Sequence, residues 1–331
     1  MISLWLQTKK RIMRIQSFML LTIAFLVASF TDQSNIISQT VSEKGIENYT
    51  GPIIDMHAHA FTSTNMMFGL EYTNPLTKKT MKGVKTPQEM QEKTFAAFKK
   101  HNIVKAMVSN GSSWYALDST RVIIGESHFN SIEELRKKYD QKKLHVIGEV
   151  APNYQGLLPT DPSLVPYFDL ANELKIPIAF HMYPGGPPGG AYFAYPKTRA
   201  FQGKPLQLEE ILFSRPKMKI YIMHAGWPYL EDLKALMYAH PQVYVDLGVI
   251  CWAIPRKEFH NFIEGLIDSG FGDRIMFGSD QMVWPETIGE GIEAVNAASF
   301  LTMEQKADIF YNNAAKFLGL SEEEIKKHKG Q

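Results

Sequence analysis

Four histidines and one aspartate lie within or at the end of short apolar segments of this sequence. His57 and His59 are two residues apart, and side chains at that spacing on a strand point to the same face. Two imidazoles that converge in this way suit a divalent metal ion, although such a pair alone is equally typical of histidines that bind nothing. His181 ends the fifth apolar run, His224 the sixth and Asp280 the eighth, so metal-capable side chains recur at segment ends far apart in the chain.

The elements that must position these side chains follow a regular rhythm from residue 52 onwards: a short apolar run, a loop, and then an amphipathic stretch. Apolar runs of strand length that alternate with helical segments predict parallel βαβ units buried on both faces. The predicted strands are 53–59, 103–109, 121–126, 145–150, 178–182, 220–224, 243–249 and 275–280. The predicted helices are 87–100, 132–139, 163–174, 208–214, 229–239, 256–268, 287–298 and 302–318, whereas segment 111–120 is too short and polar for a helix.

Eight such units predict an α/β fold of the (β/α)8 TIM-barrel type over residues 51–320, and the chain of 331 residues is long enough for one. The carboxyl ends of the strands form the active face of such a barrel, so the metal-capable residues are predicted to gather there. Thr86 before Pro87, and Ser131 before an acidic turn, predict the starts of two helices. The Pro/Gly cluster 184–190 predicts a loop on the active face.

These segments resemble the amidohydrolase superfamily, in particular the amidohydrolase-related (amidohydrolase 2) branch, which contains metal-dependent hydrolases and decarboxylases. The resemblance spans about residues 52–320, and the ordered set of motifs is more specific than any one of them. It implies a TIM-like barrel with a metal site at the carboxyl ends of the strands. The motifs are Ile54-Asp55-Met56-His57-Ala58-His59, Phe180-His181, Met223-His224-Ala225-Gly226, Phe277-Gly278-Ser279-Asp280, and the stretch from Asn313 to Leu320.

The resemblance also implies roles for single residues. His57, His59 and Asp280 would ligate metal, and His181 would be a ligand or lie beside one. His224 would ligate a second metal, or orient the water and polarise the substrate. Many two-metal relatives place a carboxylated lysine at the end of strand four, where this sequence has Glu149. Glu149 would either bridge two ions, or pair with a cation or with the metal's water, so the site holds one or two ions.

Imidazole and carboxylate ligands favour zinc, with manganese or iron as alternatives. A bound divalent metal lowers the pKa of water toward about 7 and polarises a substrate oxygen. Asp280 is then expected to accept the proton and deliver it to the leaving group, while His224 stabilises charge on the substrate oxygen. The leading hypothesis is a hydrolase that acts on an amide, ester or lactone bond of a small molecule.

Two other functions stay open: a nonoxidative decarboxylase of a carboxylated small molecule, aromatic acids included, and an exported binding protein without turnover. Arg199 or Arg256 would hold a substrate carboxylate, or would simply lie in solvent. Aromatic side chains on the predicted active-face loops would either line an apolar pocket or pack the loops onto the barrel mouth. They are Tyr154, Tyr183, Tyr192, Phe193, Tyr195, Trp227, Trp252 and Trp284.

The N-terminal segment has the pattern of a secretory signal. Four basic residues at positions 9, 10, 11 and 14 precede an apolar stretch at about 18–30, which is short for a membrane span of about 20 residues. The expected organisation is a signal peptide or uncleaved anchor over 1–30, a linker over 31–50, the barrel, and a C-terminal tail over 321–331. The protein is therefore predicted to be exported, periplasmic or secreted, and membrane-tethered if the signal is not cleaved.

Composition excludes some partners. The formal net charge is only +1, with no long block of like charge, so no nucleic-acid partner is expected, and no membrane contact beyond the N-terminal segment. Cys251 is the only cysteine and cannot close an intrachain disulfide, so the fold must depend on core packing and bound metal. We expect Cys251 to be a packed residue rather than a nucleophile. The expected partner is a small-molecule substrate, and a homo-oligomer stays open.

Overall fold

The computed structural model describes residues 47–62 and 64–330, so the predicted signal segment 1–30 and most of the predicted linker lie outside the described residues. Within those ranges, no helix is both long and apolar enough to cross a membrane. The residues after Asn48 form one unit. Its first residues already pack on the rest: the backbone N–H of Tyr49 donates to Asn296 (2.8 Å), and its ring stacks on Phe310 (5.4 Å between centroids).

Eight parallel strands, each paired with the next along the chain, build the predicted TIM barrel, which confirms the fold class. Their apolar sequences are explained by burial on both faces, since helices cover the outside and side chains fill the inside. The strands are β1 Ile53–His59, β2 Ile103–Ser109, β3 Val122–Glu126, β4 Val146–Val150, β5 Ile178–His181, β6 Ile220–Met223, β7 Val243–Asp246 and β8 Ile275–Met276.

The barrel closes between β1 and the segment that follows the short strand β8. The N–H of Met56 donates to the Phe277 carbonyl (2.9 Å), and the N–H of Asp280 donates to the His57 carbonyl (2.7 Å). A carboxylate oxygen of the buried Asp55 accepts from the N–H groups of His57 (3.0 Å) and Ser279 (2.9 Å). The bonds that close the barrel therefore also hold Asp280 beside the two histidines of β1.

The connecting helices begin where the capping signals predict. Thr86 accepts a hydrogen bond from Glu89, and Ser131 forms a capping box with Glu134. The segment 111–120, predicted to lack a helix, contains a single turn. The α-helices are α1 Pro87–Lys100, α2 Ser112–Tyr115, α3 Ile132–Asp140, α4 Val165–Leu174, α5 Glu209–Phe213, α6 Leu230–Ala239, α7 Ile250–Ala253, α8 Arg256–Asp268, α9 Thr287–Asn296, α10 Met303–Ala307, α11 Asn313–Leu318 and α12 Glu322–Lys329.

Two features of the fold were not predicted. A π-helical turn, Asp308–Asn312, joins α10 to α11 within the segment predicted as one helix. An antiparallel hairpin of Glu71–Thr73 and Thr80–Lys82 lies between β1 and α1. The side chain of the buried Asn74 donates to the carbonyl of Ala253 (2.6 Å), which ties the hairpin to the loops that follow β7. In addition, α12 occupies most of the predicted C-terminal tail 321–331.

Candidate metal centre

All six residues predicted to form the site lie together at the carboxyl ends of the strands. His57 and His59 project from β1, Glu149 from β4 and His181 from β5, while His224 follows β6 directly and Asp280 lies four residues after the end of β8. Three overlapping groups bring their ligand atoms within 4.8 Å of one another. These groups are His57, His224 and Asp280; His57, His59 and Glu149; and Glu149, His181 and His224.

The first half of the cluster has the spacing of ligands around one ion. Nε2 of His59 lies 3.0 Å from Oδ1 of Asp280 and 3.5 Å from Oε2 of Glu149, and Nε2 of His57 lies 3.6 Å from the same Asp280 oxygen. Ligands about 2.1 Å from a tetrahedral zinc ion are roughly 3.4 Å apart. His57, His59, Asp280 and Glu149 therefore fit a single ion.

Glu149 also takes part in the second half of the cluster. Its other oxygen, Oε1, lies 3.8 Å from Nε2 of His181 and 4.0 Å from Nε2 of His224. The two carboxylate oxygens thus face two different sets of imidazoles. This is the arrangement that a carboxylate bridging two ions requires. Among the described residues, the ion-pair contacts of Glu149 are with histidines, which gives no support to the alternative that it pairs with a neighbouring lysine or arginine.

Hydrogen bonds on the far side of three imidazoles turn their Nε2 atoms into the cluster. Nδ1 of His57 lies 3.3 Å from Asp246, Nδ1 of His224 donates to the Gly248 carbonyl (2.9 Å), and Nδ1 of His181 donates to the Asn153 side-chain oxygen (3.0 Å). With the hydrogen on Nδ1, a neutral imidazole presents a lone pair at Nε2. This tautomer suits metal ligation.

The electrostatics of the cluster favour a cation. Nε2 of His57 is buried and, within the described residues, has no hydrogen-bond partner. Burial alone would lower the pKa of His57, but the carboxylates of Asp280 and Asp246 outweigh it and raise the pKa to about 10. Burial would raise the pKa of Asp280, yet His57, His59 and His224 hold it well below its usual range. A divalent ion would replace the proton that this negative environment attracts.

The residues that orient the imidazoles were not predicted from the sequence. Asp246 ends β7 just as Asp280 follows β8, so the signal that found Asp280 was present, but the predicted strand 243–249 placed Asp246 in its middle. Gly248 was also missed. A Cβ atom there would lie 2.6 Å from Nδ1 of His57 and 2.9 Å from Oδ1 of Asp246, so only glycine lets the chain pass this close.

Aromatic side chains form part of the wall around the cluster. Tyr154 donates a hydrogen bond to Nε2 of His181 (3.0 Å) and stacks on Tyr195, with the ring centroids 4.1 Å apart. The ring of Tyr183 lies 5.2 Å from His224 and 5.8 Å from Trp227. These four aromatic residues support the interpretation of a lined pocket.

Other predicted pocket residues have different surroundings. Trp252 is buried and donates to the Ser279 carbonyl (2.7 Å), and Trp284 packs against it at 6.2 Å, so both support the loop after β8. Tyr192 and Phe193 are exposed. Arg256 pairs with Glu293, and Arg199 donates to two backbone carbonyls, so neither arginine faces the cluster as a carboxylate anchor.

Comparison with known proteins gives one family and one curated relative. The sequence model described as "Amidohydrolase" matches residues 124–320, more than half of the chain. Protein fluG of Emericella nidulans is 20% identical over 137 residues, which are 37% of this chain but only 16% of that protein. The chain therefore resembles a small part of this much longer relative.

Solved structures with the same fold include enzymes of two kinds. A probable 2-pyrone-4,6-dicarboxylic acid hydrolase from Acinetobacter baumannii, with citric acid bound, has a TM-score of 0.57 and 15% identity over 81% of this chain and 99% of its own. A 5-carboxyvanillate decarboxylase from Novosphingobium aromaticivorans, complexed with manganese and a nitrobenzoic acid, has a TM-score of 0.55 and 13% identity over 83% of this chain and 99% of its own. At these identities, the likeness establishes the fold.

Proposed function

The chain belongs to the amidohydrolase family, and on this premise we propose that it is a metal-dependent hydrolase of an amide, ester or lactone bond in a small molecule. The observation that carries the proposal is the position of Glu149, whose two oxygens face separate sets of imidazoles. Two ions joined by a carboxylate are a recurring arrangement in enzymes that activate water.

The residues divide into two ligand sets. His57, His59 and Asp280 would hold the first ion, His181 and His224 the second, and Glu149 would bridge them. Such ions supply Lewis acidity, which polarises a substrate carbonyl and lowers the pKa of water toward about 7. Zinc suits the imidazole-rich set best, with manganese or iron as alternatives.

Asp280 is the residue best placed to move the proton. Its Oδ1 faces the histidines of β1, and its other oxygen, Oδ2, lies 4.0 Å from Nδ1 of His224, the nitrogen that donates to the Gly248 carbonyl. A carboxylate at this junction can accept a proton from the attacking water and return it to the leaving group. His224 donates from Nδ1 to a carbonyl and presents a lone pair at Nε2, which favours its role as a ligand over that of a hydrogen-bond donor to substrate.

The surroundings favour an uncharged substrate with a flat or apolar part. Tyr154, Tyr183, Tyr195 and Trp227 offer ring faces. Each of the six arginines in the described residues has a salt bridge or a backbone hydrogen bond, so none of those six is free to hold a substrate carboxylate. The hydrolase named among the solved structures supports a lactone as the first substrate to test. The decarboxylase supports the alternative, release of CO2 from an aromatic acid.

The test is a substrate screen with isotopic readout. The purified protein is stripped with a chelator, reconstituted with zinc or manganese, and incubated in H2¹⁸O with lactones, amides, esters and aromatic carboxylates. We expect ¹⁸O in the acid product and loss of turnover in the metal-free protein. CO2 release without ¹⁸O in the organic product would replace hydrolysis with decarboxylation. Tight binding of a ligand without any product would favour a binding protein instead.

Asp280→Asn is the variant that tests the proton transfer. We expect kcat to fall by about 10²- to 10⁴-fold, the usual contribution of a general acid–base group, with an unchanged circular dichroism spectrum. Asp273→Asn is the matched control, because this carboxylate is mostly exposed and precedes the amino end of β8, whereas the ligands lie at the carboxyl ends of the strands. A fully active Asp280→Asn protein would contradict the assigned role.

A further inference from the structure

The hydroxyl of Tyr154 is hydrogen-bonded to Nε2 of His181, the atom that a metal ion would need as a ligand. Asn153 fixes the tautomer: its amide nitrogen donates to the Tyr183 carbonyl (3.2 Å), so its amide oxygen faces Nδ1 of His181 and accepts from it (3.0 Å). Nε2 of His181 therefore carries a lone pair, and the Tyr154 O–H donates to that lone pair over 3.0 Å.

The second ligand set depends on the same lone pair. Nε2 of His181 lies 3.8 Å from Oε1 of Glu149, and the ion between them would take both atoms as ligands. One lone pair cannot accept a hydrogen bond and bind an ion at the same time. The first ligand set contains no atom that Tyr154 engages in this way, since its imidazoles are those of His57 and His59.

We propose that Tyr154 controls occupancy of the second metal position by competing, through its hydroxyl, for Nε2 of His181. This inference rests on the proposed metal-dependent function and adds that the two metal positions differ in affinity. The second ion must displace a hydrogen bond from Nε2 of His181, a cost that does not fall on the first ligand set. The two positions therefore differ in affinity, and Tyr154 is a positioning residue that sets part of the difference.

The ring of Tyr154 is held independently of its hydroxyl. It stacks on Tyr195 at 4.1 Å with an interplanar angle of 23°, and its centroid lies 4.8 Å from that of His181. Tyr154→Phe thus removes the competing group and keeps the packing. Tyr195→Phe is the matched control, because it removes a hydroxyl from the other ring of the same stack and leaves the bond to His181 in place.

The experiment measures metal binding directly. Chelator-treated full-length protein is equilibrated against graded free zinc and, separately, manganese, and bound metal is counted by plasma mass spectrometry. We expect a tight first ion and a weaker second ion in the native protein. The second dissociation constant should fall by about 3- to 10-fold in Tyr154→Phe, as expected for removal of one neutral hydrogen bond, and stay unchanged in Tyr195→Phe. The first constant should be the same in all three proteins.

The outcomes separate this inference from the proposed function. A second ion that binds Tyr154→Phe no more tightly than native protein overturns the inference alone, as does a single bound ion in both. A native protein that binds one ion while Tyr154→Phe binds two supports it. If neither protein binds zinc or manganese, the metal-dependent function and the inference both fail. Circular dichroism and thermal unfolding of each variant establish that the compared proteins are folded.

Discussion

Asp246 shows how much a residue outside the ligand set contributes to the centre. Its Oδ1 accepts from the N–H groups of His224 (3.2 Å) and Gly248 (2.7 Å) and lies 3.5 Å from Nδ1 of His57, and its Oδ2 lies 3.3 Å from the same nitrogen. In Asp246→Asn, the two backbone donors keep the remaining oxygen in place, so the new amide nitrogen faces His57. Nδ1 of His57 then keeps only the more distant oxygen as an acceptor and loses the negative charge beside it, which weakens the tautomer that ligates through Nε2.

We therefore expect Asp246→Asn to bind zinc about 10- to 100-fold more weakly than native protein, the range typical for loss of a group that orients a metal ligand. Competition with a chromophoric chelator measures the dissociation constant. Asp273→Asn, with the same chemical change at an exposed position, should bind as native protein does. Native affinity in Asp246→Asn would show that His57 does not need this carboxylate.

The pKa of His57 predicts how the metal affinity depends on pH. In the metal-free protein its pKa is raised to about 10, above the ordinary value of 6.5, because Asp280 and Asp246 outweigh burial. The stabilisation from the charged imidazole is therefore complete below about pH 6.5 and is lost as the pH rises through about 10. A metal ion must displace this proton, so affinity should rise by about tenfold per pH unit between about pH 7 and pH 9.

Calorimetric titration of the metal-free protein in two buffers with different heats of ionisation checks this expectation. Each ion that binds to the first ligand set should release about one proton. The apparent binding enthalpy should therefore differ between the two buffers by the difference between their heats of ionisation for about one proton. An affinity that is constant over the pH range, with equal enthalpies in the two buffers, would show that His57 is already neutral before the metal binds.

At the scale of elements, the sequence was more informative about where strands begin than about where they end. The first two strands have the predicted bounds: β1 begins directly after Pro52, and Asn102 and Asn110 flank the apolar run of β2. The eighth was predicted as 275–280, but only Ile275–Met276 pairs as a strand. Phe277–Asp280 instead forms the closing bonds to β1, and apolar character alone does not distinguish a strand from a buried segment that crosses to the opposite edge.

The site was predictable for a different reason. The ligands stand within or at the end of apolar runs, and parallel strands place the ends of those runs on one rim. What could not be predicted depends on contacts between distant segments: the tautomers of His181 and His224, set by Asn153 and Gly248, and the hairpin before α1. Short polar strands such as Glu71–Thr73 carry little hydrophobic signal, because only one residue of each strand is not exposed.

Helix α11 contributes to the stability of the fold through the packing of Phe317. Phe317 is 5% exposed, and its ring packs 4.8 Å from that of Tyr244 and 5.7 Å from that of Tyr221, inside the barrel. Phe317→Ala should lower the free energy of unfolding by about 3–5 kcal/mol, since it leaves a cavity beneath the strands. Phe213→Ala, at a position 79% exposed, is the matched control and should change little. Urea unfolding of the metal-free proteins, followed by circular dichroism, measures the free energy of unfolding of both variants. Equal unfolding midpoints for Phe317→Ala and native protein would refute the role of α11.

The whole molecule combines a barrel without disulfides and an N-terminal segment with the pattern of an export signal. Cys251 is buried, and its thiol contacts the Gly278 carbonyl at 3.6 Å. Burial raises the pKa of this thiol well above its usual value, which keeps it protonated and unreactive. Core packing therefore holds the fold together without cysteine, and none of the candidate metal ligands is a cysteine either. Such a protein can mature in an oxidising compartment without any pairing of thiols.

The full-length chain is predicted to be exported. Basic residues followed by an apolar stretch at about 18–30 should direct the chain across a membrane and be removed near residue 30. Intact-mass measurement on the protein from the envelope or secreted fraction should then show a chain that lacks about 30 residues. Ile23→Arg, which places a charge in the apolar stretch, should leave the full-length chain inside the cell, whereas Gln33→Arg should be processed normally. A full-length mass for the native chain in the membrane fraction would indicate an uncleaved anchor, and in the cytoplasmic fraction it would refute export. Because the barrel begins only at Ile53, processing near residue 30 would remove none of the strands that carry the metal ligands.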